Sequence, residues 1–519
     1  MSVDLYDTTL RDGTQREGLS LSARDKLRIA ERLGDLGMAF IEGGWPGSNP
    51  KDAAFFAEAA GRRFGRAELV AFGSTVRPGA APEDDLQLRT LLEAETRVCT
   101  VFGKSWTRHV ERVLRTEREE NLRMIEATIA FLRGHGRRVF YDAEHFFDGY
   151  REDPDYAIAT LSAAARGGAE VVVLCDTNGG SLPWDVDEVV TAVRGALDVP
   201  LGIHAHNDSG CAVANSLAAV RAGATQVQGT INGYGERCGN ANLCTVLANL
   251  QLKMDKRIVD EETLAELTAL SRFVADVGNL TPDDHAPYVG RSAFAHKGGV
   301  HVSAIRRDPD SYQHCDPPLV GNECRVVVSE LAGRSNVLSK AEELGLKPGS
   351  ETRVVREIKE REARGYAYES AEASVALLLA RQQPTHQPAF VVVDYATHVS
   401  RRRGLDPWSE ATVKIAVGEE LRVAAGEGEG PVGALDAALR AALEPHYPAI
   451  AQIQLADYKV RIVDRQDGTN ATTRVLVECA SGTRRWSTVG ASRNIVEASI
   501  EALVDGYEYG LQLIAKEAA

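Results

Sequence analysis

Short apolar segments alternate with amphipathic stretches through the first half of the chain. Eight of these segments have the length and the β-prone composition of strands, and apolar residues at helical spacing separate most of them. The predicted strands cover residues 3–6, 39–41, 69–72, 97–102, 138–141, 171–174, 201–203 and 225–229. Eight β/α units within about 250 residues predict an α/β fold with a TIM (β/α)8 barrel at the amino-terminal end.

The first predicted helix has recognisable signals at both ends. Ser22 and Asp25 have the spacing of a capping box, in which each side chain satisfies a backbone N–H of the first turn. Ile29 and Leu33 then repeat at helical spacing, and Gly37 follows as a stop signal.

Beyond the barrel, the pattern becomes mostly helical and then breaks. Residues 255–380 have helical periodicity, with loop segments at 293–303 and 316–321. The polar segment 381–388 carries two prolines, which disfavour a continuing helix and mark a linker. We therefore predict three domains: a barrel over residues 1–260, mostly helical linker subdomains over 261–385 and a carboxyl-terminal domain over 386–519.

The carboxyl-terminal domain contains a weak internal repeat. Segments that begin at Val413 and Val475 share the order strand, turn, strand, glycine region and helix. The repeat predicts an α+β domain of two β-β-α halves, each with one apolar helix face, that pack together or dimerise. Repetition alone identifies no ligand.

Composition narrows the range of partners. The formal charge of −15 and the pI near 5.4 disfavour a broad nucleic-acid footprint, although a local basic pocket remains compatible with them. The amino terminus lacks the pattern of a signal peptide, and no apolar run approaches the ~18 residues of a membrane span. We expect a cytoplasmic protein with small-molecule partners, without nucleic-acid or membrane partners.

Three residues near the ends of predicted strands form a candidate metal site. Asp12 follows the first strand, and His204 and His206 project from the same face of the seventh because side chains alternate along a strand. Two histidines and one carboxylate are a known ligand set for a divalent metal, and the carboxyl ends of barrel strands converge. A structural role for the histidine pair is the alternative, and geometry alone would also permit a non-haem iron oxygenase.

Several motifs in order carry a resemblance to a known family. The segments DTTLRDGTQREG, HAHNDSGCAVANS, GTINGYGERCGNANL and AFAHKGGVHVSA resemble those of the Claisen-condensing synthases of the DRE-TIM metallolyase superfamily. Others, including VFYDAEHFFDGY, are most similar to the longer type of citramalate synthase, and the end of the chain also resembles the regulatory domain of 2-isopropylmalate synthases. The resemblance covers essentially the whole chain.

The resemblance implies condensation of acetyl-CoA, as co-substrate, with pyruvate and hydrolysis of the thioester. The products would be CoA and (R)-citramalate, a precursor in isoleucine biosynthesis. A divalent ion is implied at Asp12, His204 and His206, with Asn240 as a further ligand; Mg²⁺ or Mn²⁺ is favoured, and Zn²⁺ is the alternative. A homodimer is also implied, with a regulatory carboxyl-terminal domain whose effector is isoleucine or, alternatively, leucine.

The resemblance and general chemistry together suggest roles for the other residues. Arg11 is expected to contact the substrate and to stabilise oxyanion charge, and Glu144 to remove a proton from the acetyl methyl group. Thr177 is expected to bind the substrate carboxylate. His301 is expected to assist proton transfer or hydrolysis, with Tyr312 in the same cluster. Alternatively, Glu144 is a salt-bridge partner and Thr177 bonds only local backbone.

The identity of the 2-oxo acid stays open at this point. Pyruvate and 2-oxoisovalerate differ by small apolar groups, and a pocket discriminates one methylene by only ~1 to 3 kcal/mol. A 2-isopropylmalate synthase is therefore the main alternative, and the polar Asp142 leaves the pocket lining undefined. A 3-hydroxy-3-methylglutaryl-CoA lyase-like enzyme and a non-catalytic amino-acid sensor are lesser alternatives.

Overall fold

The structure is a computed structural model that describes residues 2–329, 332–345, 351–401, 406–464, 468, 470–482 and 484–518. It divides into two compact units: Met1–Phe294 with Cys315–Glu323, and Ala295–His314 with Cys324–Ala519. Among the described residues, no helix combines the length and apolar character needed to cross a lipid bilayer.

The first unit contains a closed barrel of eight parallel strands in sequence order, as the apolar pattern predicted. The strands are β1 (Asp4–Asp7), β2 (Phe40–Gly44), β3 (Glu68–Ser74), β4 (Val98–Lys104), β5 (Arg138–Glu144), β6 (Val171–Asp176), β7 (Leu201–Ala205) and β8 (Gln226–Gly229). β8 pairs with β1 and closes the barrel. Its helices are α1 (Ala23–Asp35), α2 (Pro50–Ala59), α3 (Leu86–Glu93), α4 (Thr107–His109), α5 (Arg118–Gly134), α6 (Phe146–Glu152), α7 (Pro154–Gly167), α8 (Pro183–Ala196), α9 (Ala212–Ala222), α10 (Leu243–Lys253), α11 (Glu261–Leu264) and α12 (Leu267–Val277).

Large side chains fill the barrel interior. Tyr6, Phe40 and Phe140 belong to one buried cluster, in which the rings of Phe40 and Phe140 meet edge to face with centroids 4.9 Å apart. A larger apolar cluster lies between the strands and the surrounding helices. The predicted capping box of Ser22 and Asp25 is confirmed at the start of α1.

The second unit begins with a short parallel pair and helices and continues into two sheets. The pair is β9 (Ala295–His296) with β10 (Arg325–Val326), and the helices are α13 (Gly299–Ile305), α14 (Arg334–Glu343), α15 (Glu351–Glu362) and α16 (Glu372–Arg381). The first sheet has β11 (Val391–Ser400), β12 (Trp408–Val417) and β13 (Glu420–Gly428), followed by α17 (Pro431–Leu443). The second has β14 (Gln454–Ile462), β15 (Thr473–Ser481) and β16 (Arg484–Ser492), followed by α18 (Ile495–Ala518).

The repeat predicted from sequence is present, but each half is β-β-β-α and has one strand more than predicted. β11 and β14 each pair antiparallel with the middle strand of their sheet and leave many side chains exposed, so their apolar pattern is weak. Gly426 in β13 and Gly490 in β16 occupy corresponding places against the two helices. A Cβ at either position would lie within 2.3 Å of helix backbone, and this is why both halves contain a glycine there.

Candidate active site

Asp12, His204 and His206 meet at the carboxyl-terminal end of the barrel. Their ligand atoms all lie within 4.8 Å of one another, and all three residues are buried. Oδ2 of Asp12 is 3.2 Å from Nε2 of His204 and 3.9 Å from Nε2 of His206. One carboxylate oxygen and two imidazole nitrogens therefore face a common point, a donor set suited to a divalent transition metal.

Two buried oxygen atoms beside this cluster support its fit to a cation. Oδ1 of Asp12 and Oδ1 of Asn240 have no hydrogen-bond partner among the described residues. Asn240 pairs with His206 through a β-bridge and donates its amide hydrogen to the carbonyl of Tyr234, 3.1 Å away. An unsatisfied buried acceptor costs about 1 to 3 kcal/mol, which a bound cation would offset. The residues present therefore fit a divalent ion.

The charges of the cluster are strongly coupled. Burial alone would raise the pKa of Asp12, but Arg11 and the two histidines outweigh burial and hold that pKa well below its usual range. Burial would lower the pKa of His204, yet its hydrogen bond to Asp12 prevails and raises it to about 9. For His206, burial and the nearby His204 lower the pKa to about 4. A divalent ion held by these atoms would compete with the proton on His204.

A hydrogen-bond chain fixes the ring of His204. Its Nδ1 lies 2.8 Å from Oε1 of Gln228, and the amide nitrogen of Gln228 donates to Oδ1 of Asp142 at 3.0 Å. Because an amide oxygen only accepts, Nδ1 of His204 is the donor and Nε2 faces Asp12. Burial raises the pKa of Asp142 to about 7. Gln228 was not predicted from the sequence, although a glutamine in the buried strand β8 is a usable signal.

Arg11 is held in place from two sides. Its Nε donates to the buried carboxylate of Glu42, which also accepts from the hydroxyl of Tyr6. The guanidinium carbon lies 3.8 Å from the centroid of the Phe72 ring, and Nη2 is 3.5 Å from Oδ2 of Asp12. Glu42 was also missed; a lone carboxylate in the strand FIEGG is the signal that could have revealed it.

Glu144 and Thr177 lie at the same end of the barrel. The carboxylate of Glu144 forms an ion pair with the ammonium of Lys104. Oγ1 of Thr177 accepts a hydrogen bond from the backbone N–H of His145 at 2.8 Å. Glu144 therefore forms the salt bridge, and Thr177 the local backbone hydrogen bond, that were the alternatives to their catalytic roles. Both residues nevertheless line the cavity described next.

A cavity of about 340 Å³ brings most of the predicted site residues together. One wall is aromatic: the rings of Phe72 and Phe102 stack at 5.5 Å, and Trp45 meets both edge to face. Asp142 also reaches the cavity. The sequence-predicted residues that line it are Arg11, Asp12, Glu144, Thr177, His204 and His206.

An arginine that the sequence analysis missed ties together three loops of the site. Arg237 donates to both carboxylate oxygens of Asp208 at 2.8 Å and to the carbonyl of Thr177 at 2.8 Å. Its Nη2 is also 3.1 Å from Nδ1 of His206. These contacts hold the loops that follow β6, β7 and β8 against one another.

His301 and Tyr312 belong to the second unit. Their rings stack with centroids 4.5 Å apart, and both side chains are exposed. His301 lies in α13, two residues after the glycine pair of the AFAHKGGVHVSA motif. The structure therefore pairs these two predicted residues with each other.

Comparison with known proteins identifies the class of protein that this barrel and its donor cluster define. Residues 2–274 match the HMGL-like family, residues 288–365 match the homocitrate synthase post-HMGL domain-like family and residues 369–511 match the LeuA allosteric (dimerisation) domain. The HMGL-like family depends on divalent metals, and the donor cluster is a candidate site for one.

Full-length relatives narrow the class. An (R)-citramalate synthase of Synechocystis sp. is 56% identical over 99% of this chain and 97% of the relative. That of Geobacter sulfurreducens is 53% identical over 98% and 97%. A 2-isopropylmalate synthase of Methanocaldococcus jannaschii is 29% identical over 97% and 94%. The chain therefore belongs to the citramalate synthase family within the HMGL-like enzymes.

Proposed function

We propose that the protein catalyses the metal-dependent condensation of acetyl-CoA with pyruvate, followed by hydrolysis of the thioester to (R)-citramalate and CoA. The observation that carries this proposal is the identity of 50 to 56% to (R)-citramalate synthases over nearly the full length of the chain. The relationship to 2-isopropylmalate synthases, the main alternative, is much more distant.

The donor cluster supports a role for the metal. Asp12, His204 and His206, with Asn240 as a further ligand, would hold the ion, and Mg²⁺ or Mn²⁺ is favoured over Zn²⁺ by resemblance to the family. When bound, the ion supplies Lewis-acid polarisation of the ketone and compensates negative charge that develops on its oxygen.

Arg11 is the proposed oxyanion donor. Glu42 accepts a hydrogen bond from Nε of the guanidinium, and the ring of Phe72 packs against one face of it. These contacts orient the guanidinium before substrate binds. A preorganised donor of this kind stabilises the charge that forms on the ketone oxygen as the new carbon–carbon bond is made. Thr177 is proposed to bind the substrate carboxylate: its oxygen accepts from His145, and its hydroxyl hydrogen is left to donate.

Glu144 is the proposed base. It would remove a proton from the acetyl methyl group, and the resulting enolate carbon would attack the ketone carbon of pyruvate, whose oxygen receives the electron pair. The position of Glu144 in the lining of the cavity supports this role, and the ion pair with Lys104 holds its carboxylate there. Water would then cleave the thioester and release CoA, with His301 and Tyr312 as the proposed proton-transfer and substrate-contacting pair.

The cavity dimensions support a small 2-oxo acid. A volume of about 340 Å³ is shared between the reacting groups, and the wall of Trp45, Phe72 and Phe102 is rigid because the three rings contact one another. These features support a small 2-oxo acid, a class that includes both pyruvate and 2-oxoisovalerate.

Dimerisation and feedback regulation are further parts of the proposal. The match of residues 369–511 to an allosteric dimerisation domain supports both. Leu421, Val423, Val460 and Ile462 are exposed apolar side chains on the two sheets, and such faces support contact with a second copy. Isoleucine is the proposed effector and leucine the alternative. We keep the domain boundaries at residues 260 and 385, and a cytoplasmic location, as predictions.

The test is release of CoA thiol from acetyl-CoA by metal-stripped and metal-restored protein with pyruvate, 2-oxoisovalerate, 2-oxobutyrate and 2-oxoglutarate. We expect selective turnover of pyruvate that returns only with the metal. A preference for 2-oxoisovalerate would reassign the chain to isopropylmalate synthesis, and silence with all four acids would overturn the proposal.

A further inference from the structure

Lys104 lies beside the proposed base at the carboxyl-terminal end of the barrel. Lys104 ends β4 and Glu144 ends β5, and the two residues are Cα partners in the register of these parallel strands. Two residues earlier, Phe102 pairs with Asp142 in the same way. Because side chains alternate along a strand, all four project from the same face of the sheet. The other three line the cavity of about 340 Å³, so the side chain of Lys104 is directed towards the same space.

The ammonium of Lys104 is held at the edge of this cavity and is mostly removed from water. Its Nζ forms the ion pair with Glu144 and lies 5.3 Å from the centroid of the Phe102 ring. Only 16% of the Lys104 side chain and 24% of the Glu144 side chain are exposed. Asn121 donates to the backbone carbonyl of Lys104 at 2.8 Å and fixes the end of β4. The cation is therefore in place before substrate binds.

This ammonium has unused hydrogen-bond donors. A lysine ammonium carries three N–H donors, and among the described residues only Glu144 accepts a hydrogen bond from Nζ of Lys104. A hydrogen bond from a charged donor is about twice as strong as a neutral one, and partial burial strengthens it further. Lys104 can therefore hold a second, negatively charged oxygen next to Glu144.

The condensation proposed above requires such a donor. When Glu144 removes a proton from the acetyl methyl group, the C–H electron pair forms a C=C bond, and the π pair of the thioester carbonyl moves onto its oxygen. Arg11 and the metal ion would serve the ketone oxygen of the 2-oxo acid, so this second oxyanion needs a donor of its own. The methyl carbon and the thioester oxygen are bonded to the same carbon. The base and the oxyanion donor must therefore be close neighbours, as Glu144 and Lys104 are.

We propose that Lys104 is a catalytic residue that donates a hydrogen bond from Nζ to the thioester oxygen of acetyl-CoA and stabilises its enolate. The inference rests on the proposed condensation and adds a group for the acetyl half of the reaction. Lys104 keeps its proton throughout: the enolate carbon attacks the ketone carbon, and the electron pair on the thioester oxygen re-forms the carbonyl. The same oxygen becomes negative again when water attacks the thioester carbon, so Lys104 serves both steps.

Titration calorimetry of the Mn²⁺-loaded, full-length protein with two CoA analogues measures this contact without turnover. Carboxymethyl-dethia-CoA replaces the thioester by CH2–COO⁻ and carries negative charge where the enolate oxygen would lie. Acetonyl-dethia-CoA replaces it by CH2–CO–CH3, which has the same shape and a neutral carbonyl. We expect the wild-type protein to bind the carboxylate at least about tenfold more tightly than the ketone.

Three single variants test the role of the ammonium. Lys104→Met removes the charge, so it should abolish the preference for the carboxylate and lower kcat by about 10² to 10³-fold, with a smaller change in the KM for pyruvate. Lys104→Arg keeps a cationic donor and should restore part of both quantities. Lys253→Met removes an exposed lysine at the end of α10 and should change neither.

A Glu144→Gln background separates direct contact from an effect through Glu144. This variant has no carboxylate to be left unpaired, so adding Lys104→Met there should still weaken binding of the carboxylate analogue at least about tenfold. The double variant also provides the test if Lys104→Met alone fails to fold.

Equal affinities of the two analogues for the wild-type protein, or a carboxylate preference that survives Lys104→Met, would overturn the proposal. Loss of the preference in Lys104→Met without any loss in the Glu144→Gln background would show that Lys104 only positions Glu144, and this result would also overturn it. The condensation fails separately, if no 2-oxo acid supports CoA release, whatever the affinities of the two analogues.

Discussion

The barrel cavity and a second cavity, of about 680 Å³ in the second unit, contain similar chemical groups with different charge balance. In the barrel, Arg11 is already neutralised by Glu42, and Asp12 and Asn240 keep buried oxygens without partners beside two histidines. The carboxylates that line the second cavity are Asp394, Glu497, Glu501, Asp505 and Glu508, and Arg381 donates to the last two. The comparison teaches that the two cavities differ in how far the charges of their own chain compensate one another, although both contain an arginine paired with buried carboxylates.

Replacing Asp12, a proposed metal ligand, should abolish metal binding and catalysis in the barrel. Asp12→Asn takes away the negative charge shared by both histidines, so we expect loss of Mn²⁺ binding by calorimetry and a decrease in CoA release of more than about 10³-fold. Asp35→Asn, at an exposed carboxylate that ends α1, is the matched control and should be neutral. Retained turnover in Asp12→Asn would refute the metal site.

Replacing Arg381 should disturb the charge balance of the cavity in the second unit. Arg381→Met leaves the buried Asp505 and Glu508 without their shared donor. Because 32% of the Arg381 side chain is exposed, we expect a smaller loss than the ~3 to 5 kcal/mol of a fully buried pair. We expect a lower urea midpoint, followed by the fluorescence of the buried Trp486 in the same unit. Arg353→Met, at an exposed arginine of α15, should leave the midpoint unchanged. Equal urea midpoints for the two variants would contradict the stabilisation of Asp505 and Glu508 by Arg381.

Removing the charge that orients Arg11 should lower kcat and leave metal affinity largely unchanged. Glu42→Gln keeps a hydrogen-bond acceptor but removes the charge that holds the guanidinium, so we expect kcat to fall by about 10² to 10³. Mn²⁺ affinity should change far less, because Glu42 is not among the donor atoms. A parallel loss of both quantities would show that Glu42 acts through the cluster instead.

The smallest of these effects should come from the hydrogen bonds that link His204 to Gln228 and Gln228 to Asp142. Gln228→Leu removes the acceptor of Nδ1, and loss of such an outer partner costs about 10 to 100-fold in metal affinity. Calorimetry with Mn²⁺ measures this directly. Asp142→Asn should weaken affinity less, because the amide of Asn still offers an oxygen to Gln228. Wild-type affinity in Gln228→Leu would exclude a positioning role.

The cluster of Asp12, His204 and His206 was predictable because each residue stands beside a recognisable strand. His204 and His206 share a face by alternation along β7, and the barrel pattern brings the end of β7 next to Asp12 after β1. Glu42 and Gln228 were not predictable in the same way. Their partners Arg11 and Asp142 are 31 and 86 residues away, and only barrel closure determines which buried side chains meet.

The second unit shows the same division. The helices α17 and α18 were predictable because Ala438 and Ala502 repeat on apolar faces and are fully buried. The outer strands β11 and β14 were not recognised, since exposed strands lack a strong apolar alternation. The acidic cavity was also unforeseen, because four of its five carboxylates are spaced along α18 and Arg381 reaches two of these from α16.

By itself, the sequence determined the order of strands in the barrel, the capping of α1, the presence of a repeat in the second unit and the convergence of Asp12, His204 and His206. These follow from local periodicity and from strand ends that converge in a barrel. Tertiary structure alone decided the pairing of Arg11 with Glu42, the support of His204 by Gln228 and the sharing of Arg381 by two carboxylates. The physical reason is that a buried charge is costly unless it is paired, and the partners available to it are neighbours in space and not along the chain.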